Sequence, residues 1–309
     1  MTEPKTFNEA ATDPRWMDIM QSEISALEGS QTWEIVKLPE GKKPIGSLIN
    51  LQFKQSELDH SLFIKKSKVG VVIVLIYVDD ILITGDSINV IEETKADLKK
   101  VFKMKDLGEL KYFLGIEFAR SKHGILMHQR KYSLELIVET GLGGAKPTAT
   151  PVDTNTKLTT KEFDDYIKST ESSVVNDSLA DQEKYQRLIG KLLYLTMTKP
   201  DIAFTLQTLS QYLQQPKQSH MEASMRVVRH TKNHLGQGVL LFSKSNTDIT
   251  AYCDVDWAVC PHTRKSVSGY FVKLGDSLVS WKSKKQSTVS RSSAESEYRS
   301  MATIVTELV

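Results

Sequence analysis

The chain has 309 residues, 40% of them hydrophobic and 25% charged, with a formal net charge of +2. This is the make-up of an ordinary soluble globular protein, long enough for two or three domains. It excludes a membrane-spanning helix, because the longest apolar run covers only residues 71 to 78, and a disulfide framework, because Cys253 and Cys260 are the only cysteines.

The opening MTEPKTFNEA is polar and acidic, unlike a secretory leader, so an intracellular protein of the cytoplasm or nucleus is expected. Charge is unevenly spread. Residues 1 to 180 hold 23 Lys and Arg against 27 Asp and Glu, and residues 181 to 309 hold 17 against 11. The basic half suggests contact with a polyanion, although a solvated surface explains any single lysine equally well.

In chain order, Trp16, Ile19, Met20, Ile24 and Leu27 have helical spacing, and a short strand over residues 33 to 38 leads into a Pro/Gly/Lys loop. Residues 71 to 86, VVIVLIYVDDILITGD, read as two buried strands joined by an acidic tight turn. Residues 91 to 102 predict an amphipathic helix with Ile91, Leu98, Val101 and Phe102 inward. A second hairpin is expected around residues 113 to 118 and 125 to 127, and a short helix over residues 132 to 140 stops at GLGG. Residues 145 to 181 are rich in Thr, Ser and Asp and read as a solvated connector. From Gln182 the pattern is helical. Tyr185, Leu188, Ile189, Leu192 and Leu195 keep the 3.6 period, Pro200 breaks it, and Ile202, Leu206, Leu209 and Leu213 resume it. His220, Arg226, Arg229 and His230 follow; they could meet nucleic acid, and ordinary surface helix positions explain them equally well.

Residues 249 to 289 predict three strands, the last two joined at Gly275-Asp276. A final helix follows, with Ser292 and Glu295 as its capping box and Ala294, Tyr298, Met301, Val305 and Leu308 as its buried stripe. Arg264, Lys265, Lys273, Lys282, Lys284, Lys285 and Arg291 form a basic cluster here. It suits sequence-blind phosphate contact with a hybrid duplex, or else is a soluble face.

Two readings carry chemistry. The Asp79-Asp80 pair at the end of an apolar hairpin either faces water or meets a cation, and oxygen ligands in such a half-dry site suit Mg²⁺. A signalling receiver domain also ends a strand in VDD, but would follow it with a helix, whereas ILIT continues as strand. A metal site at Cys260 and His262 lacks further ligands at a workable spacing.

The YVDD corner with its apolar flanks resembles the catalytic hairpin of reverse transcriptases. The match extends well beyond it. EP.TF.EA..DPRW, TWEIV.LP.GKKPIG, YQRLIGKLLYLT..KPDIAF and H..A..RVVRH resemble the polymerase region of copia-type retrotransposons, and D.DWA..P.TR.S.SGY with SSAE.EY resembles the ribonuclease H domain of the same elements.

The resemblance implies an α+β chain in four parts: an entry segment (1–46), a palm remnant with the YVDD and primer-supporting hairpins (47–130), a helical thumb and connection (131–245) containing the linker 145–181, and a ribonuclease H-like domain (246–309). It implies Mg²⁺ as cofactor and an RNA or DNA template-primer or hybrid as partner. Asp79 would be the direct ligand, Asp80 its support, and Asp254 and Glu297 two ligands of the hydrolase site; Asp256 and Glu295 are poorer candidates. Arg264, Lys265, Lys282, Lys284, Lys285 and Arg291 would hold phosphates.

The chain departs from the family pattern at two places. Gly46 runs almost directly into LINLQFKQSELDHSLFIKK, omitting the stretch that carries the first metal-binding Asp, and Asp13, Asp18 and Asp59 each belong to other matched segments. The later ribonuclease H carboxylates are also expected to be missing, as from a truncated copy. An inactive remnant is therefore expected. The alternatives are a residual nucleic-acid-binding protein, or a chain active only when full-length Pol complements it.

Overall fold

The computed structural model describes residues 12–14, 16–18, 21, 48–78, 80–153, 158–170, 177–244 and 246–308, and for residues 167–170 the backbone alone. The helix expected over residues 15 to 27 lies largely outside these, and the strand over residues 33 to 38 entirely so. The chain divides into two compact units, the first ending at Asp106 and the second beginning at Leu107.

In the first unit, strands β1 (Lys54–Gln55), β2 (Leu62–Lys66), β3 (Val71–Tyr77) and β4 (Asp80–Gly85) form an antiparallel sheet in sequence order. Alternate side chains of a strand face opposite ways, so the apolar run of β3 is not uniformly buried. Val72 and Val74 are sealed in a core with Phe63, Val90 and Leu98, while their neighbours are half-exposed. Helix α1 (Ile88–Val101) supplies Val90, Thr94 and Leu98 to that core. Val101, expected inward, is exposed. The buried line advances by four residues, so its next member is Phe102, which packs on the core and caps the helix.

The second unit contains two sheets. Strands β5 (Tyr112–Phe113), β6 (Ile116–Ser121), β7 (Gly124–His128) and β8 (Gly238–Phe242) pair antiparallel in that order. The β6–β7 hairpin is the second one expected, but its pairing with the distant β8 had no local signal. Gly124 permits that approach: at φ +147°, a Cβ there would lie 1.9 Å from the Leu241 carbonyl oxygen. Helix α2 (Arg130–Glu139) stops at Gly141, whose φ of +70° is the left-handed conformation of a helix end.

Helices α3 (Lys161–Thr170), α4 (Gln182–Leu195), α5 (Ala203–Leu209) and α6 (Gln218–Asn233) follow. The predicted stripe of α4 is buried at every position, and Ile202, Leu206 and Leu209 join it in one core. Pro200 opens a single 3₁₀ turn between α4 and α5, as a residue without an N–H can.

The connector expected at 145–181 is partly structured. Helix α3 is held by the buried Lys217, whose Nζ bonds Thr159 Oγ1 and Asp164 and lies 3.4 Å from Asp177 Oδ2. A buried ammonium group needs such partners. Composition identified the acidic residues as solvating, but it could not reveal the cation they neutralise.

The chain ends in strands β9 (Ile249–Asp256), β10 (Val267–Leu274) and β11 (Ser277–Lys285), ordered β11-β10-β9 and antiparallel, with helix α7 (Ser293–Leu308) against β9 and β10. The stripe expected on α7 faces the wrong way. Tyr298, Met301, Val305 and Leu308 are exposed, and Ser296, Ser300 and Ile304 meet the sheet. The small serines allow the helix backbone to approach the strands closely.

Candidate functional site

The acidic corner is built by the β3–β4 hairpin. Its strands pair from Val72↔Gly85 to Tyr77↔Asp80, which leaves a two-residue turn. Such turns match strand twist when their central residues have positive φ, a role suited to Asn or Gly. Val78 occupies the first of these positions at φ +51° and is 83% exposed. A β-branched residue there is strained, at a cost of about 1–3 kcal/mol, and strain of this kind gathers at functional corners. Asp80 opens β4 and is exposed, while Asp79 lies outside the described residues. Asp59, in the turn before β2, accepts from Ser61 N (2.9 Å) and Ser61 Oγ (2.6 Å), bonds that hold its carboxyl below the usual range.

In the second unit, Asp254 and Asp256 project from β9 and are exposed; Asp254 Oδ1 accepts from Val255 N at 2.9 Å. Ala251 and Cys253 pack with Tyr270, Val272 and Ile304 of α7. Strand alternation therefore turns Tyr252, Asp254 and Asp256 to the opposite face of the sheet. Glu297 is half-buried on α7, the helix that packs on the face from which Asp254 is turned away. Ser300 Oγ of α7 donates to the Asp254 carbonyl at 3.4 Å.

Glu295 serves the helix start. Its Oε2 accepts from Arg291 N (2.8 Å), while Ser292 Oγ accepts from Glu295 N (3.1 Å). The reciprocal bond reaches one residue further back than a capping box requires. These contacts, the Arg291 amide first and the Arg299 side chain next, hold the Glu295 carboxyl below its ordinary value.

Mg²⁺ asks for several oxygen donors at one point. Among the described residues no three His, Cys, Asp or Glu side chains converge closely enough to hold a metal ion. That ion can also be held by one or two carboxylates with water and substrate phosphates, and Asp79 lies outside the described residues.

The basic cluster divides between the two faces. Lys282 and Lys284 pair with Tyr270 and Ser268 and stand exposed on the α7 side. Lys285 takes the other face, where its Nζ donates to Gln211 Oε1 at 2.6 Å. Arg264 and Arg291 are exposed and Lys265 is half-buried. Lys285 is thus half-buried and on the face opposite Lys282 and Lys284, as the two-residue period of a strand requires.

The histidines of α6 are also internal. His220 is wholly buried: its Nδ1 accepts from Lys217 N and its Nε2 bonds the Thr159 carbonyl, each at 3.0 Å, and its ring stacks on Tyr212. Burial, assisted by the Lys217 charge, pushes its pKa down to about 4. His230 is buried against Asp201 at 2.9 Å. Arg226 reaches Thr150 and Asp153, and Arg229 is half-buried. The buried pair cannot serve as a nucleic-acid surface, contrary to expectation, because both histidines lie on the core face of α6.

A family model described as "Reverse transcriptase (RNA-dependent DNA polymerase)" matches residues 47–154. The chain is 37% identical over 261 residues to the retrovirus-related Pol polyprotein from transposon RE1 of Arabidopsis thaliana, covering 84% of this chain and 17% of the polyprotein. It is 32% identical over 244 residues to the Pol polyprotein from transposon TNT 1-94 of Nicotiana tabacum, covering 78% of this chain and 18% of the polyprotein. An uncharacterized mitochondrial protein of Arabidopsis thaliana, AtMg00810, is 36% identical over 234 residues, 76% of this chain and 92% of its own length. The chain thus spans less than a fifth of the Pol polyproteins it matches. No solved structure matches it.

Proposed function

The chain belongs to the reverse-transcriptase family of copia-type retrotransposon Pol polyproteins, and from that membership we propose that it binds template-primer or hybrid duplexes without sequence preference and catalyses neither DNA synthesis nor hybrid cleavage on its own. The observation that carries this reading is the division of the three-stranded sheet. Asp254 projects from the face turned away from α7, the helix that carries Glu297, and Lys282 and Lys284 are exposed on the α7 side, where they could meet phosphates.

Metal-assisted displacement at phosphorus requires charge on both the attacking and the leaving oxygen, and hence carboxylates meeting at one point. Asp79 and Asp80 in the polymerase part, and Asp254 and Glu297 in the ribonuclease H-like part, are the residues that would hold Mg²⁺. Each pair is short of a full donor set. In the polymerase part the proposed cause is the almost direct passage from Gly46 to LINLQF, where the family resemblance implies a further segment with a metal-binding Asp. No helix among the described residues is long and apolar enough to cross a membrane.

The test has two arms. Primer extension and hybrid cleavage are measured with Mg²⁺, using D79N and E297Q as controls. The expected result is no turnover above the controls; turnover abolished in them would overturn the proposal of inactivity. Filter binding of a hybrid duplex across a salt series tests the binding half. Affinity should fall steeply with salt and weaken in K282A/K284A, because each neutralised phosphate releases counterions. A flat salt response would remove phosphate contact from the reading.

A further inference from the structure

One peptide group just before α3 is held from two sides. The Thr159 carbonyl accepts from Nε2 of His220, on α6, at 3.0 Å, and the Thr160 N–H donates to Nε2 of His262, in the loop between β9 and β10, at 3.2 Å. Both backbone atoms belong to the same peptide bond, so a single rigid plane ties the helical core to the last sheet. Its neighbours extend the grip. Tyr212 Oη donates to the Leu158 carbonyl at 3.0 Å, and the Phe163 and His262 rings meet edge to face with centroids 4.9 Å apart.

Each histidine holds this peptide only as the neutral ring. A carbonyl has no proton to give, so Nε2 of His220 carries its hydrogen, while Nδ1 accepts from Lys217 N at 3.0 Å. His262 has the opposite tautomer. Its Nε2 is the acceptor, and its hydrogen sits on Nδ1, which is sealed from solvent without a hydrogen-bond partner. A second proton on His262 would set its new N–H against the Thr160 N–H, two donors with nothing between them to accept.

We propose that residues 158–164 form an acid-operated latch, closed on the β9–β10 loop while His262 is neutral and opened when that ring takes a proton. The surroundings of the ring fix the sign. Burial first and the Lys285 cation of β11 next hold the His262 pKa below its ordinary 6.5; Lys217 acts with them, and Asp164 and Glu162 of α3 act against them. The Cys260 thiol of the same loop lies 4.0 Å from Lys285 Nζ. Above pH 6.5 the ring is neutral whether the latch is closed or open. Below it the open latch binds a proton that the closed one refuses, so opening gains as pH falls. His220, wholly buried and with its pKa pushed down to about 4, stays neutral over most of that window. Asp164 and Asp177 titrate below 3.8, so their ion pairs with Lys217 keep the segment tethered and able to close again. The sheet itself stays attached through Trp281, whose indole N–H donates to the Thr196 carbonyl at 2.8 Å.

Hydrogen exchange read by mass spectrometry on the full chain at pH 7.5 and 5.0, corrected for the intrinsic effect of pH, follows the latch in peptides covering residues 158–164. Protection there should fall at least 3-fold at pH 5.0 and by no more than about 30-fold, the protonated-to-neutral ratio of a free imidazole at that pH. H262Q keeps an acceptor for the Thr160 N–H and removes the titration, so its protection should match the native chain at pH 7.5 and change less than 2-fold. H262A removes the acceptor and should show the lowered protection already at pH 7.5. By NMR on the native chain, the Thr160 amide should titrate in step with the His262 ring, a measurement that serves if the variants do not fold. An equal fall in the native chain and H262Q, native protection in H262A at pH 7.5, or a Thr160 amide indifferent to the His262 titration would overturn the proposal.

Discussion

Helices α4 and α7 bear apolar stripes of the same period and treat them in opposite ways. In α4 the stripe from Tyr185 to Leu195 is sealed in the core of the second unit. In α7, Tyr298 is 71% exposed and Met301, Val305 and Leu308 are also open to solvent, while Ser296 and Ser300 are buried. The period of a helix identifies its faces, but the element it packs against decides which face is used. Helix α4 meets other helices, whose side chains interdigitate with leucines. Helix α7 lies on a sheet whose inward residues, Tyr270 and Val272, already fill the space, so the helix offers small residues at the contact.

Truncating each stripe gives the widest separation between the two helices. Leu192→Ala removes a fully buried side chain from a packed core and should cost about 2–5 kcal/mol, read as a lower denaturation midpoint with an unchanged slope. A loss below about 1 kcal/mol would mean that the core around α4 relaxes or is not closed.

Acid should weaken the α4 side through His220, which packs near Tyr185. Above pH 6.5 the imidazole is neutral in both states. Between 6.5 and about 4 the unfolded chain takes up a proton that the folded chain refuses, so stability falls as pH falls. The groups facing it act in known directions. Asp164 and Asp177 are stabilised as carboxylates by Lys217 and Ser219, against the effect of burial, and their loss comes only below the ordinary carboxylate value of 3.8. His262, also pushed down by burial and hydrogen-bonded to Thr160 N at the start of α3, adds to the same trend as His220. From pH 7.5 to 4.5 the His220 part is about 2–3 kcal/mol. Denaturant melts at the two pH values should show this loss in the native chain and a smaller one in His220→Gln. Equal losses would remove His220 as its cause.

These contrasts also explain what could be read in advance. The β3–β4 hairpin, the α4 stripe, Pro200 and the three strands of the last sheet depend on local pattern and turn chemistry, and each appears where pattern put it. The β7–β8 pairing, the docking of α3 on Lys217 and the inward turn of α7 depend on partners far away in sequence. The α3 residues look solvating until the buried ammonium is known. Of the candidate site residues, Asp80, Lys282 and Lys284 are exposed, and Lys285 is half-buried with its Nζ on Gln211. Strand alternation alone could have separated Lys284 from Lys285, and could have grouped Tyr252, Asp254 and Asp256 on one face.

Reversing the logic of α7 gives a smaller effect. Ser300 is buried against the sheet, with its hydroxyl toward the Asp254 carbonyl. Ser300→Leu would make the helix resemble α4 in composition, but there is no hole to receive the added carbons. Overpacking of this kind costs about 1–3 kcal/mol. A stabilised variant would show instead that α7 has room to lift and accept a larger residue.

The smallest effect belongs to the exposed stripe. Val305 is 56% exposed, so its side chain keeps much of its contact with water on folding. Val305→Ser should change stability by no more than about 0.5 kcal/mol, the usual range for a surface position without a cap or charge network. The same exchange inside α4, Leu188→Ser, would bury a hydroxyl where apolar packing is required and should approach the cost of Leu192→Ala. Measured side by side in one denaturant series, the two serines test the comparison directly. If Val305→Ser destabilised the chain as much as Leu188→Ser, the outer stripe of α7 would have to be covered in solution, and the difference between the helices would lie in what each is covered by.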